Sequence, residues 1–150
     1  MKKTRVLILG GGFGGLYAAL EFEKRREADI EVTLLTQENF FLFTPMLHEV
    51  AASDLDLTNI VNPVRKLLRH VRTFVGEVQS VDLAQRRVIV AHGYSWHTHA
   101  LDYDHLVLAL GSVTNFFASS SDPPRLSALP QAARKLSLPL PEVFGFGVMI

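Results

Sequence analysis

Glycines at positions 10, 12 and 15 stand at the spacing G-x-G-x-x-G, and two more, Gly11 and Gly14, lie among them. The chemistry such a turn supports is the binding of a diphosphate. Gly10 allows a tight turn, Gly12 has no Cβ to keep a pyrophosphate from the backbone, and Gly15 lets a helix pack closely on a strand. Free N–H groups and the positive end of a helix dipole complete an anion site at the turn. A glycine-rich turn alone is weak as a signal. It gains weight from its flanks, because the apolar run Val6-Leu-Ile-Leu9 precedes it and a helical stretch opened by Leu16 follows.

The elements that must position this turn form a βαβ unit. Residues 6–9 read as a strand buried on both faces of a parallel sheet. A helix is predicted over residues 14–27, with the charged stretch Glu23-Lys-Arg-Arg-Glu27 as its solvated end. A second apolar strand is predicted over residues 30–35. At its end an Asp or Glu normally accepts bonds from the adenosine ribose. This chain has Thr36, Gln37 and Glu38 there, and no Arg or Lys, so nothing at that spot suggests a bound 2′-phosphate.

Asn39-Phe-Phe-Leu-Phe-Thr-Pro-Met-Leu-His48 follows. It reads either as a loop folded onto the core or as an apolar wall around a flat aromatic ligand, with Thr44 and the backbone at Pro45 supplying polar contacts. His48 is not assigned a catalytic role. A helix is predicted over residues 58–69, with Thr58 as N-cap and Ile60, Val64, Leu67, Leu68 and Val71 on one face. Residues 72–81 are predicted as one strand with Gly76 inside it. Residues 86–91 form a further strand after a turn at residues 82–85, and the shorter, more polar strands suggest an antiparallel meander. His92, His97, His99 and His105 lack a carboxylate or cysteine at zinc-site spacing and read as a polar hairpin rim. Leu106 to Leu110 returns to the parallel sheet and ends in Gly111.

The chain has 150 residues, formal net charge zero and 48% hydrophobic residues. That is enough for one domain with a core, without a basic field that would favour nucleic acid. With no cysteine, redox work in this chain needs an organic cofactor. The basic start leads straight into a core strand and no small-residue cleavage site follows, so no signal peptide is read; no apolar run is long enough to span a membrane. Five of the seven prolines fall after Asn115, and the end, Val143-Phe-Gly-Phe-Gly-Val-Met-Ile150, is apolar.

Taken in order, Gly10-Gly-Gly-Phe-Gly-Gly15, Val32-Thr-Leu-Leu-Thr-Gln-Glu-Asn-Phe-Phe-Leu-Phe-Thr-Pro-Met-Leu47, Val75-Gly-Glu-Val78 and Tyr103-Asp-His-Leu-Val-Leu-Ala-Leu-Gly111 resemble type II NADH dehydrogenases, single-chain NADH:quinone oxidoreductases of the flavoprotein class with two dinucleotide-binding domains. The resemblance covers residues 4 to 117. It implies an α/β fold, a Rossmann-like parallel sheet with an antiparallel meander, here incomplete. The FAD-binding part is expected over 1–117, followed by a Pro-rich, poorly packed tail over 118–150. It implies FAD as cofactor, NADH as substrate of the full-length enzyme and quinone as acceptor. By position, Gly10, Gly12, Phe13, Gly14 and Gly15 would lie along the pyrophosphate. Thr36, Gln37 and Glu38 would lie at the ribose, Thr44 and Pro45 near the flavin ring, Val78 at the adenine, and Ala109, Leu110 and Gly111 at the returning strand. No residue is implied as a general acid or base, and no metal.

Two departures stand out. Thr36 replaces an acidic residue, and Leu110 replaces the Thr of an Ala-Thr-Gly triplet. A second glycine fingerprint, a returning FAD segment and C-terminal amphipathic helices that hold the membrane are not among these residues. The expectation is a truncated or frame-shifted product that lacks turnover by itself. The family would place the full enzyme in the cytoplasm, or peripherally on the cytoplasmic face of the inner membrane, and is compatible with a dimer. The alternatives are a non-catalytic dinucleotide-binding remnant or the NAD-binding domain of a dehydrogenase.

Overall fold

The computed structural model describes residues 3–92 and 97–112. The predicted tail over 118–150 lies outside the described residues. Strand β1 (Thr4–Leu9) leads through the glycine turn into helix α1 (Phe13–Arg25), and β2 (Ile30–Thr36) follows. A short hairpin pairs β3 (Phe40–Leu42) with β4 (Val61–Pro63), and the two small helices α2 (Leu47–Ala51) and α3 (Val64–Leu67) flank β4 in the chain. Strand β5 (Arg72–Val75) precedes a meander of β6 (Glu77–Asp82), β7 (Arg87–His92) and β8 (His97–Asp102), and β9 (His105–Leu108) closes the described chain.

Four strands form a parallel sheet in the order β5-β2-β1-β9, the order of one half of a doubly wound dinucleotide-binding fold. The meander is antiparallel. Side-chain alternation along β1 sends Val6 and Ile8 to one face and Leu7 and Leu9 to the other. The first pair joins Leu16 and Ala19 of α1 in one apolar core. The second pair meets Val78, Val88 and Val90 of the meander in another. Ile8 and Leu9 are fully buried, so the apolar run is that of a strand covered on both faces.

Three predicted elements differ from the observed ones. The helix over residues 58–69 is replaced by a 3-10 turn (Leu57–Asn59), β4 and the four-residue α3. Pro63 has no N–H and holds Asn62 extended, which suits a strand opposite Phe40–Leu42. The cap is Asp56, whose carboxylate accepts from Thr58 N at 2.8 Å, not Thr58. Ile60, Val64, Leu68 and Val71 are nonetheless buried as the apolar pattern requires.

The strand over residues 72–81 breaks at Gly76, so that β5 belongs to the parallel sheet and β6 to the meander. The end of α1 is the third difference. The Glu23 side chain is only 13% exposed, and its carboxylate accepts from the backbone N–H of His70 and Val71 at 2.9 Å each and meets His70 Nδ1 at 2.6 Å. Burial pushes the Glu23 carboxyl up, but the hydrogen bonds from the His70 ring and from the backbone around residues 69–71 outweigh it and hold it at about 2. Glu23 thus ties α1 to the approach of β5. Among the described residues no helix is long and apolar enough to cross a membrane.

Candidate functional site

The glycine turn is held from two sides. Gly10 N donates to Leu35 O at 2.8 Å, which ties it to the end of β2, and Ala109 N donates to Leu9 O at 2.8 Å, which brings the end of β9 beside it. Arg5 and Asp104 fix the other end of β9: Arg5 N donates to the Asp104 carboxylate at 2.8 Å, and Asp104 N donates to Arg5 O at 2.9 Å.

Each glycine of the fingerprint has a distinct neighbourhood. Gly10 has φ +108°, a conformation that L side chains rarely adopt, and a Cβ on it would collide with the Ala109 carbonyl. A Cβ on Gly15 would collide with the Gly10 carbonyl. Gly12, the N-cap of α1, has extended backbone, and a Cβ there would meet no atom within 4 Å. Gly10 and Gly15 are therefore required by the fold, whereas nothing in the fold requires Gly12. Its exposed face, together with an α1 N-terminus that has no side-chain cap and no acidic residue in the first turn, is a cradle shaped for an anion. A diphosphate fits it.

Two residues of the turn do more than the motif states. Gly11 occupies an x position, yet a Cβ there would collide with the Thr36 hydroxyl. The signal for this was a glycine where the motif permits any residue. Phe13 packs its ring edge-on against Phe41 at 4.9 Å and Phe43 at 5.5 Å. What Phe13 offers a diphosphate is its backbone N–H, while its ring clamps the phenylalanine-rich segment to the turn. Part of that segment is folded onto the core: Phe41 is buried there, and Phe43 stays partly exposed beside the turn. Thr44 and Pro45 follow in an exposed 3-10 turn, attached to the glycine turn through Phe43. His48 is exposed, 3.6 Å from Glu49.

A Cβ on Gly14 would make only ordinary contact with Ala109, and Gly111 has φ +73° with open space where a Cβ would stand. Ala109 and Leu110 thus reach the turn, with Leu110 also packed on the second core. Thr36 is the one buried polar residue of the described chain, 5% exposed beneath Gly11, while Gln37 and Glu38 are exposed. The Val78 side chain points into the second core, among Val88, Val90 and Tyr103, so only its backbone can face a ligand. The cleft nearest to it is lined by Gln37, Phe40, Phe74, Gly76 and Glu77 and holds about 1250 Å3. The glycines of the fingerprint do not line this cleft. It begins one residue beyond Thr36, whose carbonyl accepts from Gly76 N at 2.9 Å. The rings of His92 and His99 lie 5.7 Å apart against Phe74, and among the described residues no three His, Cys, Asp or Glu side chains are placed to hold a metal.

The chain is similar to several known proteins. The chain is 34% identical over 121 residues to the type II NADH:quinone oxidoreductase Ndh of Mycobacterium tuberculosis, an alignment covering 79% of this chain and 25% of that protein. It is 33% identical to the demethylphylloquinone reductase NdbB of Synechocystis, over 75% of this chain and 29% of the relative. Among solved structures, NDH2 of Plasmodium falciparum in complex with NADH superposes with a TM-score of 0.69 at 26% identity, over 77% of this chain and 24% of that one. The chain spans about a quarter of the length of these relatives. The pyridine nucleotide-disulphide oxidoreductase family matches residues 4–136, beyond residue 117, where the resemblance read from the motifs ends. A parallel sheet in dinucleotide-binding order, a glycine turn open only at Gly12 and a match over most of the sequence lead to one assignment: the chain belongs to the pyridine nucleotide-disulphide oxidoreductase family.

Proposed function

We propose that this chain is the FAD-holding portion of a flavin-dependent NADH:quinone oxidoreductase. The observation that carries the reading is the contrast within the fingerprint: Gly10 and Gly15 are filled by neighbouring backbone, and Gly12 alone faces open space beside an uncapped helix N-terminus. The relatives named NADH:quinone oxidoreductase and quinone reductase support NADH and quinone as the reactants of the full-length enzyme, which would act where quinone is held, at the cytoplasmic face of the inner membrane.

In this reading the backbone N–H groups of Phe13, Gly14 and Gly15 bind the pyrophosphate at the positive end of α1. Gln37 and Glu38 stand at the ribose, where Thr36 supports the turn from beneath Gly11. The Phe13–Phe41–Phe43 cluster holds Thr44 and Pro45 toward the ring system and excludes water from that side. Ala109, Leu110 and Gly111 approach from β9. Bound FAD supplies the chemistry, acceptance of hydride from NADH and delivery of electrons to quinone, and the chain supplies position and surroundings.

The test is an absorbance spectrum of the purified 150-residue chain after incubation with FAD and gel filtration, followed by an assay of NADH oxidation with a soluble quinone. The expected result is a retained flavin spectrum with no sustained NADH oxidation, because the 150 residues hold one fingerprint only. Loss of all flavin at saturating FAD would contradict the cofactor assignment. Sustained turnover would contradict the restriction to one half-reaction site.

A further inference from the structure

At the end of the parallel sheet away from the glycine turn, a small pocket stands where β1, β2 and β5 begin. Thr4 N donates to Asp29 O at 2.8 Å and Ile30 N to Glu27 O at 3.2 Å, which closes the turn between α1 and β2 against the start of β1. On the other side Glu23 fixes His70 and Val71 through their backbone N–H groups. Between these ties lies a cavity of about 190 Å3. Its floor is apolar: Val32 and Val71 are buried, and Phe22 and Ile30 are half-buried against the first core.

Lys3 and Arg26 stand in the wall of this pocket, both exposed, and among the described residues neither is in an ion pair. Glu27 is the one carboxylate in the wall, and the His70 ring, also there, is held by Glu23. Two cations against one carboxylate leave the wall net positive. Arg26 is also the C-cap of α1, with φ 49° and ψ 48°. This left-handed cap is usually glycine, because a Cβ is crowded there. An arginine in a disfavoured backbone conformation, with no ion-pair partner among the described residues, points to a partner from outside. A guanidinium grips a carboxylate through two parallel charge-assisted bonds. An apolar floor with a few charged groups at the rim is the usual form of a small-molecule site.

We propose that this pocket binds a small monocarboxylate with an apolar body, its carboxylate between Lys3 and Arg26 and its hydrocarbon on Phe22, Ile30 and Val71. The proposal does not depend on what the glycine turn holds. Isocaproate is the probe. Isocaproamide keeps its shape without the charge, acetate keeps the charge without the body, and leucine adds an ammonium that Glu27 could take. Each is titrated against the 150-residue chain, with backbone amide NMR shifts as readout, in the native protein and in Arg26→Gly and Lys3→Gln. Melting curves are recorded on the same samples.

The expected result is that isocaproate shifts the amides of residues 26–30 and 70–71 and leaves those of residues 10–15 in place. It should bind about tenfold more tightly than isocaproamide or acetate, in keeping with one charge-assisted contact, and less tightly as salt is raised. Arg26→Gly removes the cation and suits the left-handed cap, so it should lose about the same tenfold without a lower Tm. Lys3→Gln should weaken isocaproate as well. Isocaproate that shifts residues 10–15 instead, or no residue, overturns the proposal, and so does binding of the amide or acetate as tight as its own. Tighter binding of leucine overturns the choice of a monoanion. Native affinity in both Arg26→Gly and Lys3→Gln overturns the role of the two cations, and a clear drop in Tm in Arg26→Gly overturns the argument from the cap.

Discussion

Adding one methyl group to Gly12 and to Gly10 should produce opposite defects, and the size of each follows from the structure. At Gly12 the backbone is extended, φ −75° and ψ −167°, and the new Cβ meets nothing within 4 Å. The substitution restricts the unfolded chain, worth about 0.4–1 kcal/mol in favour of folding, and replaces glycine by a poorer N-cap, worth a similar amount against it. Stability should change by less than about 1 kcal/mol, which is at most about 4–8 °C in Tm for a domain near this size. At Gly10 the Cβ runs into the Ala109 carbonyl and the residue must hold φ +108°. Overpacking costs about 1–3 kcal/mol, and a disfavoured backbone adds about 1–2 kcal/mol more. Gly10→Ala should therefore lower Tm severely or abolish folding.

Ligand binding inverts the order. The Gly12 methyl stands where a pyrophosphate approaches the N–H groups of the first turn. Loss of one or two charge-assisted bonds of about 1.5–3 kcal/mol each weakens FAD by at least about tenfold. The assays are thermal denaturation by circular dichroism and FAD titration on the same samples. Gly12→Ala with native FAD affinity and an unchanged spectrum would refute the reasoning, and so would equal destabilisation by the two substitutions.

Glu23→Ala leaves the His70 and Val71 N–H groups without their acceptor and should cost about 1–3 kcal/mol in urea denaturation. In the native chain the folded pKa of Glu23, about 2, lies below its ordinary value of 4.5. Its contribution is complete above pH 4.5 and is lost as pH falls from 4.5 toward 2, so the gap between native and Glu23→Ala stability should close over that window; a constant gap from pH 7 to 2.5 would count against the assignment. Leu110→Thr restores a hydroxyl beside the turn and removes apolar contact with the second core. FAD affinity should rise severalfold while stability drops by about 1 kcal/mol, read by titration and melting; weaker FAD binding would show that Leu110 does not border the cofactor.

What the sequence disclosed, and what it hid, follows from how local each signal is. Val6 to Leu9 reads correctly because a strand covered on both faces is apolar throughout, and the strand over residues 30–35 because Val32, Leu34 and Leu35 are buried positions of β2. The glycine turn was legible because its constraints act within a few residues. The stretch from Leu57 to Leu68 imitated an amphipathic helix: one core lies to one side of it, so its apolar residues recur at helical spacing although the backbone is a turn, a strand and a short helix. Pro63 was the local clue against a helix. Gly76 divides what looked like one strand because a Cβ there would come within 2.7 Å of Val90 Cγ1 and 2.8 Å of the Ala91 carbonyl, neighbours fixed only by the meander. The burial of Glu23 against residues 70–71 and the placing of Arg65 and Gln37 in the wall of one cleft are tertiary facts. Neither has any trace in the spacing of nearby residues.

The central claim is that the glycine turn holds FAD. Its most direct measurement is equilibrium titration of the 150-residue chain with FAD, FMN and NAD+, followed by flavin fluorescence and by calorimetry. One FAD should bind per chain, more tightly than NAD+. FMN, which has no adenosine for the Gln37 end of the site and no pyrophosphate for Gly12, should bind far more weakly than FAD. Binding of NAD+ tighter than FAD, or equal binding of FMN and FAD, would contradict the account.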